Sequence, residues 1–335
     1  MSYYILPKIM NRIKLDIKMS NVEELKPYIS QTFINYYNNI LEEITKSISQ
    51  DVHNKIYDLL QIITPKHNSV SKLQTTRTLF YDLVELIQNI NMLDYYNFNI
   101  LNALIIGENY EDSLDCLKLL RENNKDKFTC IKEFNSYFIK KIERSRFNLI
   151  IYEIANTSEI KVYINKLLEV LFIILKNLNV YGCAIIKVNS LVYEPTIEIL
   201  YLLSSMFEET IIIKPSAINI TKIEHYIYLK NFNYSIAHYD LYNNYCNILK
   251  DYIIREDNNL IYKIIDFKIP YIFLSKLDEI NIMLGQQHLE LLESLLTILK
   301  SKNKEEKIEL FRKKNIRKKI IFIKNDCVKN DCVKS

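Results

Sequence analysis

The sequence predicts an α/β fold built on one mostly parallel sheet whose last strand is antiparallel, with helical extensions at both ends. Three observations carry this expectation. Residues 181–232 read as strand, helix, strand, loop and strand. An apolar run over 182–188 carries Lys187 near its end, and an amphipathic helix follows over 195–207. A second strand over 210–213 stops at Lys214-Pro215, and a third spans 225–232. A strand–helix–strand crossover winds right-handed within one sheet, so the first two strands are expected to be parallel neighbours. The third follows a loop of about ten residues, a length that suits an antiparallel return to the sheet edge. Upstream, helical and short apolar segments alternate from residue 72 onward. One of those apolar runs, over 101–106, ends on Gly107, one of only three glycines in 335 residues.

Taken in order, residues 1–20 alternate apolar and basic side chains and read as an unanchored lead-in. Apolar residues at helical spacing between 22 and 63, with Asn21 as an N-cap and Pro65 as a stop, predict two helices. Residues 67–71 form a polar hinge. A strongly amphipathic helix over 73–90 carries Arg77 and Asp82, and the strand over 101–106 leads through Gly107 into a helix over 113–122. A strand over 128–134, a helix over 135–146, a strand over 147–155 and a long apolar helix over 158–178 complete the approach to Tyr181. After Phe232 the pattern turns helical, near 236–254, 274–281 and 286–299. Residues 302–324 are charged and basic. The pentapeptide KNDCV, repeated at 324–328 and 329–333, ends the chain in a segment expected to be disordered. The expected division is a helical extension over 1–71, a central α/β domain over 72–235, a helical region over 236–324 and a tail over 325–335.

Composition narrows the function classes. The net charge of +4 names no partner. Ile, Asn, Lys and Tyr are abundant and Trp is absent, the signature of AT-rich codons, so the lysine and tyrosine counts carry little functional weight. Six cysteines at 116, 130, 183, 246, 327 and 332 show no CxxC spacing and no accompanying histidine cluster, which argues against zinc. Cys130 and Cys183 lie in apolar runs, where a free cysteine acts as a small hydrophobe. A reducing, cytoplasmic compartment is expected. Neither a secretory signal nor a membrane-spanning segment is expected.

The stretch 181–232 resembles the C-terminal half of the FtsJ-like ribose 2′-O-methyltransferases, particularly the cap-methylating kind of large DNA viruses. That family carries a glycine-started strand ending in lysine, matched by Gly182 to Lys187. A strand ending in Lys-Pro is matched by FEETIIIKP at Phe207 to Pro215. A Glu-x-Tyr lead into the last strand is matched by Glu224-His225-Tyr226. The resemblance implies a Rossmann-like S-adenosylmethionine methyltransferase sheet, S-adenosylmethionine as cofactor, capped mRNA as partner, and a viral replication site or virion as a location. It implies a catalytic set in which Lys187 is the base that deprotonates a ribose hydroxyl, with Glu224 and Glu153 orienting it. The family has an aspartate where Glu153 stands. The family's other lysine falls on Asp82, or on Tyr81 with a slip of one; neither replaces it, and Lys72 is the nearest alternative. A lysine serves as base near neutral pH only if its pKa is lowered by burial and a neighbouring cation.

The cofactor-binding residues implied by the resemblance are Gly107 and Glu108 of the loop after the first strand, together with Glu153, but one glycine replaces a glycine-rich turn. For RNA, the resemblance implies Lys214 and Lys222 around the loop Ser216–Lys222, where the family's arginine is missing. The basic run FRKKNIRKKI adds Arg312, Lys313 and Lys314, which can lie on phosphates or form a solvated helix face. Lys187 can equally be a lysine snorkelling at a strand end, and Glu224 a loop carboxylate pairing with Lys222 or Lys214. The chain also resembles the small subunit of poxvirus mRNA capping enzymes, which has this fold without a working site. A non-catalytic binding or stimulatory capping subunit is therefore the alternative function.

Overall fold

The computed structural model describes residues 2–8, 13–20, 25–47, 78–96, 99–123, 125–135, 138, 142, 145–155, 157, 159–215, 224–233, 239–255, 259–301, 303, 306–310 and 313. The expected second helix up to residue 63, most of the helix over 135–146, Lys72, Ser158, the loop 216–223 and the tail over 325–335 lie outside them.

Nine strands form among the described residues: β1 (Ser2–Ile5), β2 (Leu15–Ser20), β3 (Asn102–Ile106), β4 (Lys127–Ile131), β5 (Phe147–Glu153), β6 (Leu178–Val188), β7 (Phe207–Lys214), β8 (His225–Phe232) and β9 (Leu260–Ile265). The helices are α1 (Gln31–Ser47), α2 (Thr78–Asn89), α3 (Tyr110–Arg121), α4 (Ile160–Asn177), α5 (Glu194–Met206), α6 (Tyr239–Arg255) and α7 (Tyr271–Leu299). Seven strands form one sheet in the order β1-β7-β8-β6-β5-β3-β4. Strands β4, β3, β5 and β6 are parallel to one another, β8 runs antiparallel to both β6 and β7, and β1 runs antiparallel to β7. A mostly parallel sheet with an antiparallel strand inserted before its end is the Rossmann-like methyltransferase architecture, as the sequence predicts.

The central strands are apolar on both faces because helices cover both. On β5, Ile150 and Tyr152 enter one core with α4, α5 and α6, while Leu149 and Ile151 enter a second core with α2 and α3. Successive side chains of a strand point to opposite faces, so an unbroken apolar run feeds two cores.

The sheet differs from the expectation in three places. The two strands joined by α5 are not neighbours, because β8 lies between them, with Ile186 of β6 and Ile212 of β7 both opposite Ile227. The reason is burial. Tyr226 and Tyr228 fill one core and Ile227 and Leu229 the other, leaving the first half of β8 without a polar face for an edge. The lead-in is anchored: β1 pairs with β7 from Ser2 opposite Lys214 to Ile5 opposite Ile211, and β2 pairs with β9. Finally, the region after Phe232 is not purely helical. Strand β9 forms from the β-branched run LIYKII, whose Leu260, Ile261, Ile264 and Ile265 pack into the first core. The carboxylate of Glu198 on α5 accepts from the backbone N–H groups of Ile264 and Ile265 and ties the strand down.

Helix α7 runs unbroken for 29 residues where two helices are predicted. Gly285 sits mid-helix because α1 crosses there; a Cβ on it would lie 2.0 Å from Phe33 Cζ. No helix of the described residues is long and apolar enough to cross a membrane.

Candidate active site

The carboxyl ends of β5 and β6 lie side by side, with Glu153 directly opposite Lys187. Strand β8 flanks β6 on its other side, placing Tyr226 opposite Lys187 and bringing Glu224, which precedes the strand, to the same corner. The Lys187 ammonium lies 3.1 Å from Glu153 Oε1 and 3.1 Å from Glu224 Oε2. All three side chains are about nine-tenths buried. The structure therefore brings together the three residues that the resemblance names as catalytic.

A fourth group changes the electrostatics. Asp82 of α2 is buried beneath this corner and accepts a 3.1 Å hydrogen bond from the Tyr226 hydroxyl, while its Oδ1 has no hydrogen-bond partner. Burial pushes the Asp82 carboxyl up to about 8, against the pull of the nearby Lys187 charge and the Tyr226 hydrogen bond. For Lys187, burial acts to lower the pKa. The charges and hydrogen bonds of Glu224 and Glu153 outweigh it, and the ammonium is held above its ordinary value of 10.5. A lysine that acts as a base needs the reverse, a neighbouring cation. Here the position implied for that cation carries Asp82.

The glycine turn is also committed. Gly107 adopts φ +151°, and a Cβ placed on it would lie 2.6 Å from Glu153 Cβ and 3.1 Å from Glu153 Oε2. Asn109, two residues on, donates its backbone N–H to Glu153 Oε2 at 3.1 Å and its side-chain amide to Oε1 at 3.0 Å. Glycine is thus required here for the approach of the chain's own glutamate. Glu108 is exposed at the tip of the turn. The residues present do not fit S-adenosylmethionine, because the glutamate occupies the space over the glycine and takes the turn's free N–H. Gly107→Ala is expected to lower stability by about 2 kcal/mol, through backbone strain and overpacking against Glu153; chemical denaturation monitored by circular dichroism measures this.

Of the residues expected to meet RNA, Lys214 and Lys313 are among the described residues. Lys214 is buried at 4% exposure and donates to the Leu284 carbonyl of α7 at 3.0 Å, so it presents no charge to a phosphate. Burial lowers its pKa to about 8. Lys313 is exposed and lies 3.8 Å from Glu309. Lys222, Arg312 and Lys314 fall outside the described residues.

Sequence reasoning gave Asn109 and Tyr226 no individual role in the site. Asn109 was legible as a residue type that opens helices, but α3 starts at Tyr110, three residues before the apolar periodicity that marks its body. Tyr226 shares a face with Tyr228 by alternation, yet only the packing of α2 places a carboxyl against its hydroxyl.

No family model matches the chain, and no curated protein matches it. Among solved structures, a Plasmodium falciparum protein described as a ribosomal RNA methyltransferase superposes with a TM-score of 0.35 at 17% identity, covering 46% of this chain and 96% of that one. A likeness at that level bears on neither activity nor substrate.

Proposed function

We propose that this chain is a methyltransferase-fold protein that transfers no methyl group and serves as a binding or stimulatory subunit of an mRNA capping complex, of the viral kind that the resemblance indicates. The observation that carries the first half is the charge balance around Lys187: one buried cation is held between the carboxylates of Glu153 and Glu224, and no second cation stands beside it at the Asp82 position. An ammonium held above 10.5 keeps its proton at neutral pH and cannot take one from a ribose hydroxyl. The Gly107 turn, filled by Glu153, supports the same conclusion from the cofactor side. The second half rests on the resemblance of residues 181–232 to capping methyltransferases and to the small capping subunit. RNA is then a ligand of the complex, and the basic run containing Lys313 is this chain's contribution to it.

The competing reading is an active ribose 2′-O-methyltransferase of mRNA caps with Lys187 as base; the clustering of Lys187, Glu153 and Glu224 is what favours it. Incubation with methyl-labelled S-adenosylmethionine and capped RNA separates the two. The expected result is no incorporation above that of Lys187→Ala. Incorporation that is lost in Lys187→Ala establishes the enzyme instead. Addition of the chain to the catalytic capping subunit of the same genome is expected to raise that subunit's turnover severalfold.

A further inference from the structure

The Glu153 carboxylate makes contacts on two sides at once, with Lys187 on one and the turn at Asn109 on the other. Its Oε1 receives Lys187 and the Asn109 amide, and its Oε2 receives the Asn109 backbone N–H. Its Cβ and carboxylate lie where a side chain on Gly107 would stand, 2.6 Å and 3.1 Å from that Cβ position. The side chain is 9% exposed, so it is inserted in the corner rather than lying across its surface. The contacts of Lys187 with Glu224 do not involve this turn.

We infer that Glu153 is an intrinsic plug: its side chain occupies the cofactor position at the Gly107–Asn109 turn, and this single side chain keeps S-adenosylmethionine away from the turn. This deepens the proposed function, on which it rests, by assigning the lost cofactor site to occupancy by one side chain and leaving the sheet and turn intact. The backbone that frames the site is in place. Gly107 N–H bonds the Ile131 carbonyl at 3.0 Å and the Tyr110 N–H bonds the Gly107 carbonyl at 3.2 Å, so two of the turn's backbone bonds do not involve Glu153.

Three variants of the full chain test this by calorimetric titration with S-adenosylmethionine and by ligand-induced shifts in melting temperature. Glu153→Asp withdraws the carboxylate by one methylene while keeping a partner for Lys187. Glu153→Ala removes it. Glu153→Gln keeps its volume and loses its charge. The expected result is at least about tenfold tighter binding for Glu153→Asp and Glu153→Ala than for wild type, with no gain for Glu153→Gln. If Glu153→Ala does not fold, Glu153→Asp decides. A folded Glu153→Asp that binds no better than wild type overturns the plug, as does a Glu153→Gln that binds as well as Glu153→Asp. Either failure leaves the proposed function standing, because that reading falls only if the wild-type chain itself binds the cofactor and methylates RNA.

Discussion

Replacing Lys187 with methionine is expected to cost about 3 to 5 kcal/mol of folding stability. The variant leaves Glu153 and Glu224 facing one another in a corner about nine-tenths buried, where each carboxylate lies 3.1 Å from the ammonium in the native chain. Desolvated like charges without a counter-ion must be neutralised by protonation or opened to water, and either route weakens the fold. The loss is therefore expected to be larger at pH 8 than at pH 5, where the glutamates can take up protons. Adding Glu153→Gln and Glu224→Gln to the same chain is expected to return most of the stability, since an ion cluster replaced as a unit is often close to neutral. Urea denaturation of the single and triple variants measures both values. A single variant that unfolds within about 1 kcal/mol of wild type would show that the lysine is held by nothing more than a surface pair.

The second large effect is a pH dependence set by Asp82. Its carboxyl has an ordinary value of 3.8 and is pushed up to about 8 in the folded chain by burial, with the charges of Glu85 and Glu224 adding and that of Lys187 opposing. Between those values the folded chain keeps a proton that the unfolded chain has released. Stability is then greatest at the acid end of this window and falls as pH rises through it, by an amount on the order of 5 kcal/mol if nothing relaxes. Glu198, raised to about 7 by burial, adds a slope of the same sign, so the wild-type curve alone does not isolate Asp82. The comparison with Asp82→Asn does. The amide keeps an acceptor for the Tyr226 hydroxyl but buries extra donors, at a cost of about 1 to 3 kcal/mol. Wild type is expected to be the more stable protein at pH 5 and the variant the more stable at pH 8.5. Parallel stability curves across that range would mean that Asp82 titrates as an ordinary carboxylate.

The parts of this molecule that could be read from its sequence are those fixed by local pattern. Runs such as NALII and FNLIIYE are apolar on both faces and declare central strands wherever they pair. The positions of Glu153 and Lys187 at strand ends were equally legible, because parallel strands in register bring their carboxyl ends together. What was not legible depends on partners far away in the chain. Strand β9 owes its state to β2, about 240 residues earlier in the sequence, and to Glu198 on α5. The β8 strand was expected at the edge because its connecting loop is short, yet its tyrosines and aliphatic residues are buried on both faces and demand an interior place. Lys214 follows an apolar strand and looks like a loop cation. The crossing of α7 buries it against the Leu284 carbonyl. At the candidate site the residue that matters most, Asp82, is an acid in an amphipathic helix when seen in sequence. Its burial, and the hydrogen bond it accepts from Tyr226, exist only once α2 packs beneath β6 and β8.

The central claim is that Lys187 is a permanently charged strut rather than a base. Its protonation can be followed directly by NMR of the side-chain amine in lysine-labelled protein, assigned with Lys187→Arg and titrated from pH 6 to pH 11. Lys187 is predicted to show no titration below its ordinary value of 10.5. A midpoint near 7 to 8, the range a general base near neutral pH requires, would contradict the account.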